Sequence, residues 1–332
     1  MENKATIFDS LEEEIMQSDL SEAEKNRRLS ALLKASSKKI SVLLIGATSS
    51  GKSSTINALF NTSVAKVGFG VDPETKDIEE YELGNLHIFD SPGLGEGIEE
   101  DESHIEQIVR KLSEVDDDGE LLIDLVLVVL DASSKDMSVS LRVLNEVLIP
   151  CLGEDESHRI LVALNKSDMA MMGRHWDSEN NVPDSVLKGF LTKKANSVKK
   201  RIYDATGVEV EPICYSAGYS DEDEEQKPYN LSKLLYYILI NVPNEKRLIL
   251  VDNLNENPDN WLYDDEEEDY GELVRGSFFE SLLSGIGTGA EKGAVTGGII
   301  IGVPGMIVGG LVGGVLGFLR GLVIEPLSRL GK

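Results

Sequence analysis

The run Gly46-Ala47-Thr48-Ser49-Ser50-Gly51-Lys52-Ser53 follows the apolar stretch VLLI and leads into the helix-like segment STINALF. That spacing suits a phosphate cradle. Glycine lets backbone N–H groups turn inward, a lysine brings charge to the outer phosphates of a nucleoside triphosphate, and a hydroxyl can ligate Mg²⁺. Gly46, Ser49, Ser50, Gly51, Lys52, Ser53 and Ser54 are therefore the candidate phosphate contacts, with Ser53 also a candidate metal ligand.

Three further groups come in order, each after an apolar run. Asp90-Ser91-Pro92-Gly93 follows LHIF, which places Asp90 to hold a magnesium-bound water and the Gly93 N–H to meet a γ-phosphate. Asn165-Lys166-Ser167-Asp168 follows ILVAL. A carboxylate at Asp168 accepts from guanine N1–H and N2–H₂, whereas adenine presents an acceptor at N1, so this residue selects guanine. Ser216-Ala217-Gly218 follows PICY, where a backbone N–H can meet guanine O6. Any one of these is an ordinary turn or cap; four in order predict a guanine-nucleotide site.

The elements that must carry these loops alternate. Apolar runs at 42–45, 86–89, 125–130, 160–164 and 212–215 read as buried strands, with an alternating edge candidate at 78–83. Helical patterns lie near 52–60, 101–113, 139–148, 185–204 and 230–240. The fold class expected is α/β, with a mostly parallel sheet, helices on both faces, and ligands at the carboxyl ends of the strands. Four divisions follow: a helical arm over 1–38, a nucleotide-binding domain over 39–246, an acidic linker over 247–272, and a glycine-rich helical tail over 273–332.

In the arm, Ile7, Leu11 and Ile15 share a face, and Ser21 with Glu24 offers a capping box before Leu29, Leu32 and Leu33. Residues 252–272 carry ten Asp or Glu and no Lys or Arg, the pattern of a solvated or mobile segment. In the tail, the 27 residues between Lys292 and Arg320 bear no charge and include ten glycines. As one helix they would reach roughly 40 Å, beyond a hydrocarbon core of about 30 Å. Pro304-Gly305 instead divides the glycine stripe in two, which favours a helical hairpin packed glycine to glycine, at a membrane or within a soluble bundle with the arm.

Composition narrows the classes. Lys and Arg number 32 against 59 Asp and Glu, a net charge of −27, which opposes broad nucleic-acid binding. Cys151 and Cys214 form no disulfide framework, His87, His104, His158 and His175 lack metal-ligand spacing, and the N-terminus lacks a secretory pattern. A cytoplasmic protein is expected, peripheral to or embedded in the inner face of the plasma membrane if the tail meets lipid. In GRHWD, Trp176 is expected as a packed loop aromatic, and Met169, Met171 and Met172 as soft packing.

The nucleotide motifs, with KVGFGVDPET, DLVLVVLDASS and ALNKSDMAMMGRHWD, resemble P-loop GTPases of the Era/TrmE-like class over roughly 40–245, nearest to Era-like GTPases found on bacterial prophages. The resemblance implies GTP/GDP and Mg²⁺ as ligands, and Thr75 as the switch threonine that closes on metal and γ-phosphate. Lys52, Thr75 and Gly93 would then serve the phosphoryl transfer, and Ser53, Thr75 and Asp90 the metal. Two departures qualify it. Leu94 stands where some relatives carry a water-orienting glutamine, so hydrolysis should be slow without an activator or self-association. Ser49 stands where potassium-using relatives carry asparagine, which weakens any K⁺ requirement. A slow GTP-hydrolysing switch acting at a membrane through its tail is expected. A soluble assembly or ribosome-associated GTPase and a GTP-binding scaffold with negligible turnover stay open.

Overall fold

The computed structural model describes residues 6–18, 21–60, 77–95, 97–116, 118–153, 158–220 and 225–286. Helices α1 (Ile7–Gln17) and α2 (Glu22–Ser36) precede β1 (Ile40–Gly46), α3 (Lys52–Leu59), β2 (Glu79–Leu83), β3 (Leu86–Asp90) and α4 (Ile98–Leu112). Strand β4 (Leu125–Asp131) leads to α5 (Ser138–Val143), a π-helical turn (Leu144–Leu148), α6 (Ile149–Leu152) and β5 (Ile160–Asn165). A small hairpin of β6 (Trp176–Asp177) and β7 (Val182–Pro183) opens onto α7 (Ser185–Thr206) and β8 (Ile213–Cys214). A second hairpin, β9 (Tyr219–Ser220) and β10 (Glu225–Gln226), is followed by α8 (Leu231–Asn241), α9 (Arg247–Val251) and α10 (Tyr270–Ile286).

Six strands form the central sheet in the order β2-β3-β1-β4-β5-β8, parallel except for the β2–β3 pair. The fully buried pattern of β1 explains its central place: Val42 and Leu44 enter one core, Leu43 and Ile45 the other. One core lies under α1, α2, α3, α8, α9 and α10, and the second lies under α4, α5, α6 and α7. Parallel pairing brings the ends of β1, β3, β4, β5 and β8 to one edge, since Leu44 is level with Asp90 and Asp131 with Asn165.

Local chemistry fixes several helices. Thr6 and Asp9 form a reciprocal capping box at α1. Helix α4 begins with Glu99, Glu100 and Asp101 and ends with Arg110 and Lys111, charges that complement its dipole. Asp184 caps α7 by accepting from the Val186 and Leu187 N–H groups, and Gly207 ends that helix in the left-handed region (φ 75°).

The acidic stretch differs from the linker expected. Trp261, 4% exposed, and Leu254 enter the first core, and the Trp261 indole N–H donates to the Asn255 carbonyl. The carboxylates find partners: Asp252 accepts from the Ile7 N–H, Asp265 and Glu267 pair with Lys233, and Asp259 pairs with Lys227. Two apolar anchors and three cation or amide partners outweigh what charge content alone suggested. Helix α10 also straddles the expected boundary at 272/273, packing against α8, α9 and α2 with Val274 and Phe278 buried. The start of the tail thus meets the arm. Of the glycine-rich tail expected over 273–332 as a helical hairpin, residues 287–332 lie outside the described residues, among which no helix is long and apolar enough to cross a membrane.

Candidate nucleotide site

The loop between β1 and α3 wraps tightly because two of its glycines leave no room for a side chain. A Cβ on Gly46 would strike the Val129 carbonyl, and one on Gly51, at φ 93°, would strike the Asn165 amide. Ser49 also takes a positive φ of 60° and is exposed at the loop's crest with Thr48. Lys52 is buried and its ammonium donates to the Gly46 and Ala47 carbonyls (3.3 and 3.4 Å). Ser50 is buried with no hydrogen-bond partner for its hydroxyl, while Ser53 and Ser54 are half-buried at the start of α3.

At the end of β3, Asp90 is fully buried and accepts from the Ser53 hydroxyl (2.6 Å), while its Oδ1 has no partner. Burial pushes the Asp90 carboxyl above the usual range, opposed by the Lys52 charge and the Ser53 hydroxyl. A paired hydroxyl and carboxylate with one unsatisfied buried oxygen suit a hard, oxygen-liganded cation such as Mg²⁺. Gly93 lies directly against the phosphate loop, since a Cβ there would overlap Thr48. Leu94 continues that contact: its N–H donates to Gly46 O (3.2 Å) and its carbonyl accepts from Thr48 N–H (3.0 Å). Its side chain is 1% exposed, inside the second core.

Asn165 joins the two halves of the site. Its amide N–H donates to the Ser50 carbonyl (3.0 Å) and its Oδ1 accepts from the Ala217 N–H (2.9 Å). One buried side chain therefore sets the phosphate loop against the Ser216–Gly218 loop. Lys166 turns through a positive φ of 61° and pairs with Asp131 (3.1 Å). Burial works against the Asp131 charge, but the Ser133 hydroxyl and Lys166 outweigh it and hold the carboxyl below the usual range. Asp168 is 7% exposed and its Oδ1 has no partner. An unsatisfied buried carboxylate oxygen is the acceptor that the N–H edge of guanine needs.

The structure thus gathers Gly46 to Ser54, Asp90, Gly93, Asn165 to Asp168, Ser216 and Ala217 along one sheet edge. Thr75 lies outside the described residues. Several contributors carried no sequence signal. Asp131 reaches Lys166 from the neighbouring strand, Lys194 on α7 binds the Ala132 and Ser134 carbonyls, and Tyr215 shares a buried hydrogen bond with Thr55 (2.7 Å). His104 and Asp101 on α4 contact the Gly93–Gly95 backbone. None shares a local motif with its partner; the sheet register and helix packing bring them together. After the guanine motif, Trp176 packs edge-on against Tyr229 (5.2 Å between centroids) and His175 meets Asp184 (2.8 Å). Met169 and Met172 differ from the packing role expected: they are 50% and 78% exposed, because Met171 and Met172 turn through positive φ and lift the loop outward. Met171 alone packs against the core.

Residues 41–166 match the family described as 50S ribosome-binding GTPase. Among solved structures, Toc33 from Arabidopsis thaliana in complex with Mg²⁺ and GMPPNP is 17% identical, over 64% of this chain and 84% of that one, with a TM-score of 0.41. Era of Aquifex aeolicus bound to GDP and AlF₄⁻ is 18% identical over 62% and 57%, with a TM-score of 0.41. LeoA, a bacterial dynamin GTPase from ETEC, is 14% identical over 84% and 45%, with a TM-score of 0.38. No curated protein matches the chain. From the sheet order, the phosphate loop and the match over 41–166, the chain has the α/β P-loop GTPase fold, and that segment carries the motifs of a GTPase family.

Proposed function

We propose that the protein is a guanine-nucleotide switch that binds GTP with Mg²⁺, hydrolyses it slowly, and acts at a membrane through its glycine-rich tail. The observation that carries the nucleotide reading is the pair of unsatisfied buried carboxylate oxygens on Asp90 and Asp168 at opposite ends of one sheet edge. Each is costly to leave unpaired in a folded protein, and a guanine nucleotide with its cation satisfies both.

Lys52 would place positive charge beside the phosphates, and the backbone N–H groups at Gly51 to Ser54, at the start of α3, would donate to their oxygens. Ser53 and Asp90 would hold Mg²⁺, with Thr75 joining them when GTP closes the switch segment. Held there, Mg²⁺ would supply charge neutralisation to the phosphates during transfer. Gly93 would donate to the γ-phosphate, and Asp168 with Ala217 would read the base.

Slow turnover follows from Leu94, whose apolar side chain is sunk in the core and cannot orient a water. An activator or a second copy of the chain would supply that function. The membrane reading rests on the uncharged run between Lys292 and Arg320. The packed start of α10 favours the alternative for 270–281 only, as an internal packing element.

Calorimetry with GTP, GDP and ATP tests the core of this reading. Lys52→Ala and Asp168→Ala should each weaken GTP binding by about a hundredfold, the loss expected of a charged, desolvated contact. ATP held as tightly as GTP, or both variants binding normally, would overturn it. Vesicle flotation of the full chain with GMPPNP or GDP tests whether the nucleotide regulates membrane binding, which equal partitioning in both states would overturn, and absence from the vesicles in both states would overturn the membrane reading itself.

A further inference from the structure

Helix α4 grips the loop that follows β3 at two points. His104, buried on the face of α4 that meets the loop, lies with Nδ1 3.0 Å from the Gly93 carbonyl. A carbonyl only accepts, so Nδ1 carries the hydrogen of this bond. One turn earlier, at the i−3 position of the same face, Asp101 accepts from the Gly95 N–H (2.7 Å). Between these two contacts Leu94 makes its paired hydrogen bonds to Gly46 and Thr48. Three successive residues, 93 to 95, are therefore held by α4 on one side and by the phosphate loop on the other.

The loop so held lies close against the phosphate loop. The overlap of a Gly93 Cβ with Thr48 shows that the loop backbone already abuts the phosphate loop, where an amide can reach a terminal phosphate. GDP lacks that phosphate, so a contact that fixes Gly93 favours GTP over GDP and leaves the shared contacts untouched.

We propose that His104 is a positioning residue that sets the Gly93 backbone for the γ-phosphate and so establishes the preference for GTP over GDP, with Asp101 as its second hold on the loop. This rests on the nucleotide reading above. It deepens that reading by assigning discrimination between nucleotide states to a helix outside the nucleotide motifs.

The test uses the full chain with Mg²⁺ and measures calorimetric affinity for GMPPNP and for GDP. His104→Leu should weaken GMPPNP binding by about tenfold, the worth of one buried hydrogen bond, while GDP binding stays within about twofold of the wild type. His104→Asn places an amide N–H where Nδ1 stands and should restore most of the preference. Should His104→Leu fail to fold, Asp101→Ala releases the Gly95 N–H and should lower the same GMPPNP-to-GDP ratio. Equal weakening for both nucleotides means a general structural role and overturns the proposal, as does an Asn variant that folds yet behaves like Leu. A wild-type chain that binds neither nucleotide overturns the underlying reading and this inference with it, an outcome distinct from a lost preference.

Discussion

At the carboxyl ends of β1, β3, β5 and β8, each candidate side chain stands within a few residues of the strand that aims it. On the flank around α3, the contacts instead join segments about two hundred positions apart. Asn255 and Asn260 donate to the Asn57 and Ala58 carbonyls across 198 and 202 residues, and the Ile7 N–H donates to Asp252 across 245. The Asn255 N–H adds a bond to the Leu59 carbonyl (2.9 Å), so the carboxyl end of α3 is capped almost wholly by the distant acidic stretch. One helix thus has a phosphate-facing start built from local sequence and an end built from remote sequence. On this helix, local sequence supplies the chemical groups and the remote contacts supply support at the opposite end.

The largest test of that division is Trp261→Ala. Removing this buried indole should lower unfolding free energy by about 3–5 kcal/mol, seen as a fall in denaturation midpoint. In protein that remains folded, GTP affinity should stay unchanged, because no Trp261 atom belongs to the nucleotide edge. An affinity loss matching the stability loss would break the division. Asn165→Ala should show the reverse balance. It abandons the Ser50 carbonyl and the Ala217 N–H together, and should cost about 2 kcal/mol of stability. It should also weaken GTP binding by more than about tenfold, because the phosphate and base loops lose their shared brace.

The same division explains what the sequence disclosed. The strands, the phosphate loop and the guanine-selecting Asp168 were legible because each is written in contiguous residues with a period or spacing of its own. The docking of 252–272 was not. Ten carboxylates swamp the signal from Leu254 and Trp261, and nothing near them in sequence reveals Lys233 or Lys227 as partners. His104 was equally hidden, for its target is a backbone carbonyl that any residue type could supply. Leu94 was half legible: its inability to orient water follows from its type, but its burial in the core follows only from the pairing with Ala47 beyond the end of β1.

Asn260→Ala carries the smallest expected effect and asks whether the two ends of α3 act separately. Its side chain donates to the Ala58 carbonyl (2.9 Å), six residues beyond Lys52, and the pair is buried. Loss of that one bond should cost about 1 kcal/mol of stability with GTP affinity unchanged. Combined with Asn165→Ala, the two stability losses should add within about 0.5 kcal/mol, as they do for sites with no shared partner. A larger discrepancy would mean that α3 transmits strain from the acidic stretch to the phosphate loop. The flank would then be part of the switch itself, and the arm and tail anchored on it would respond to the nucleotide through α3.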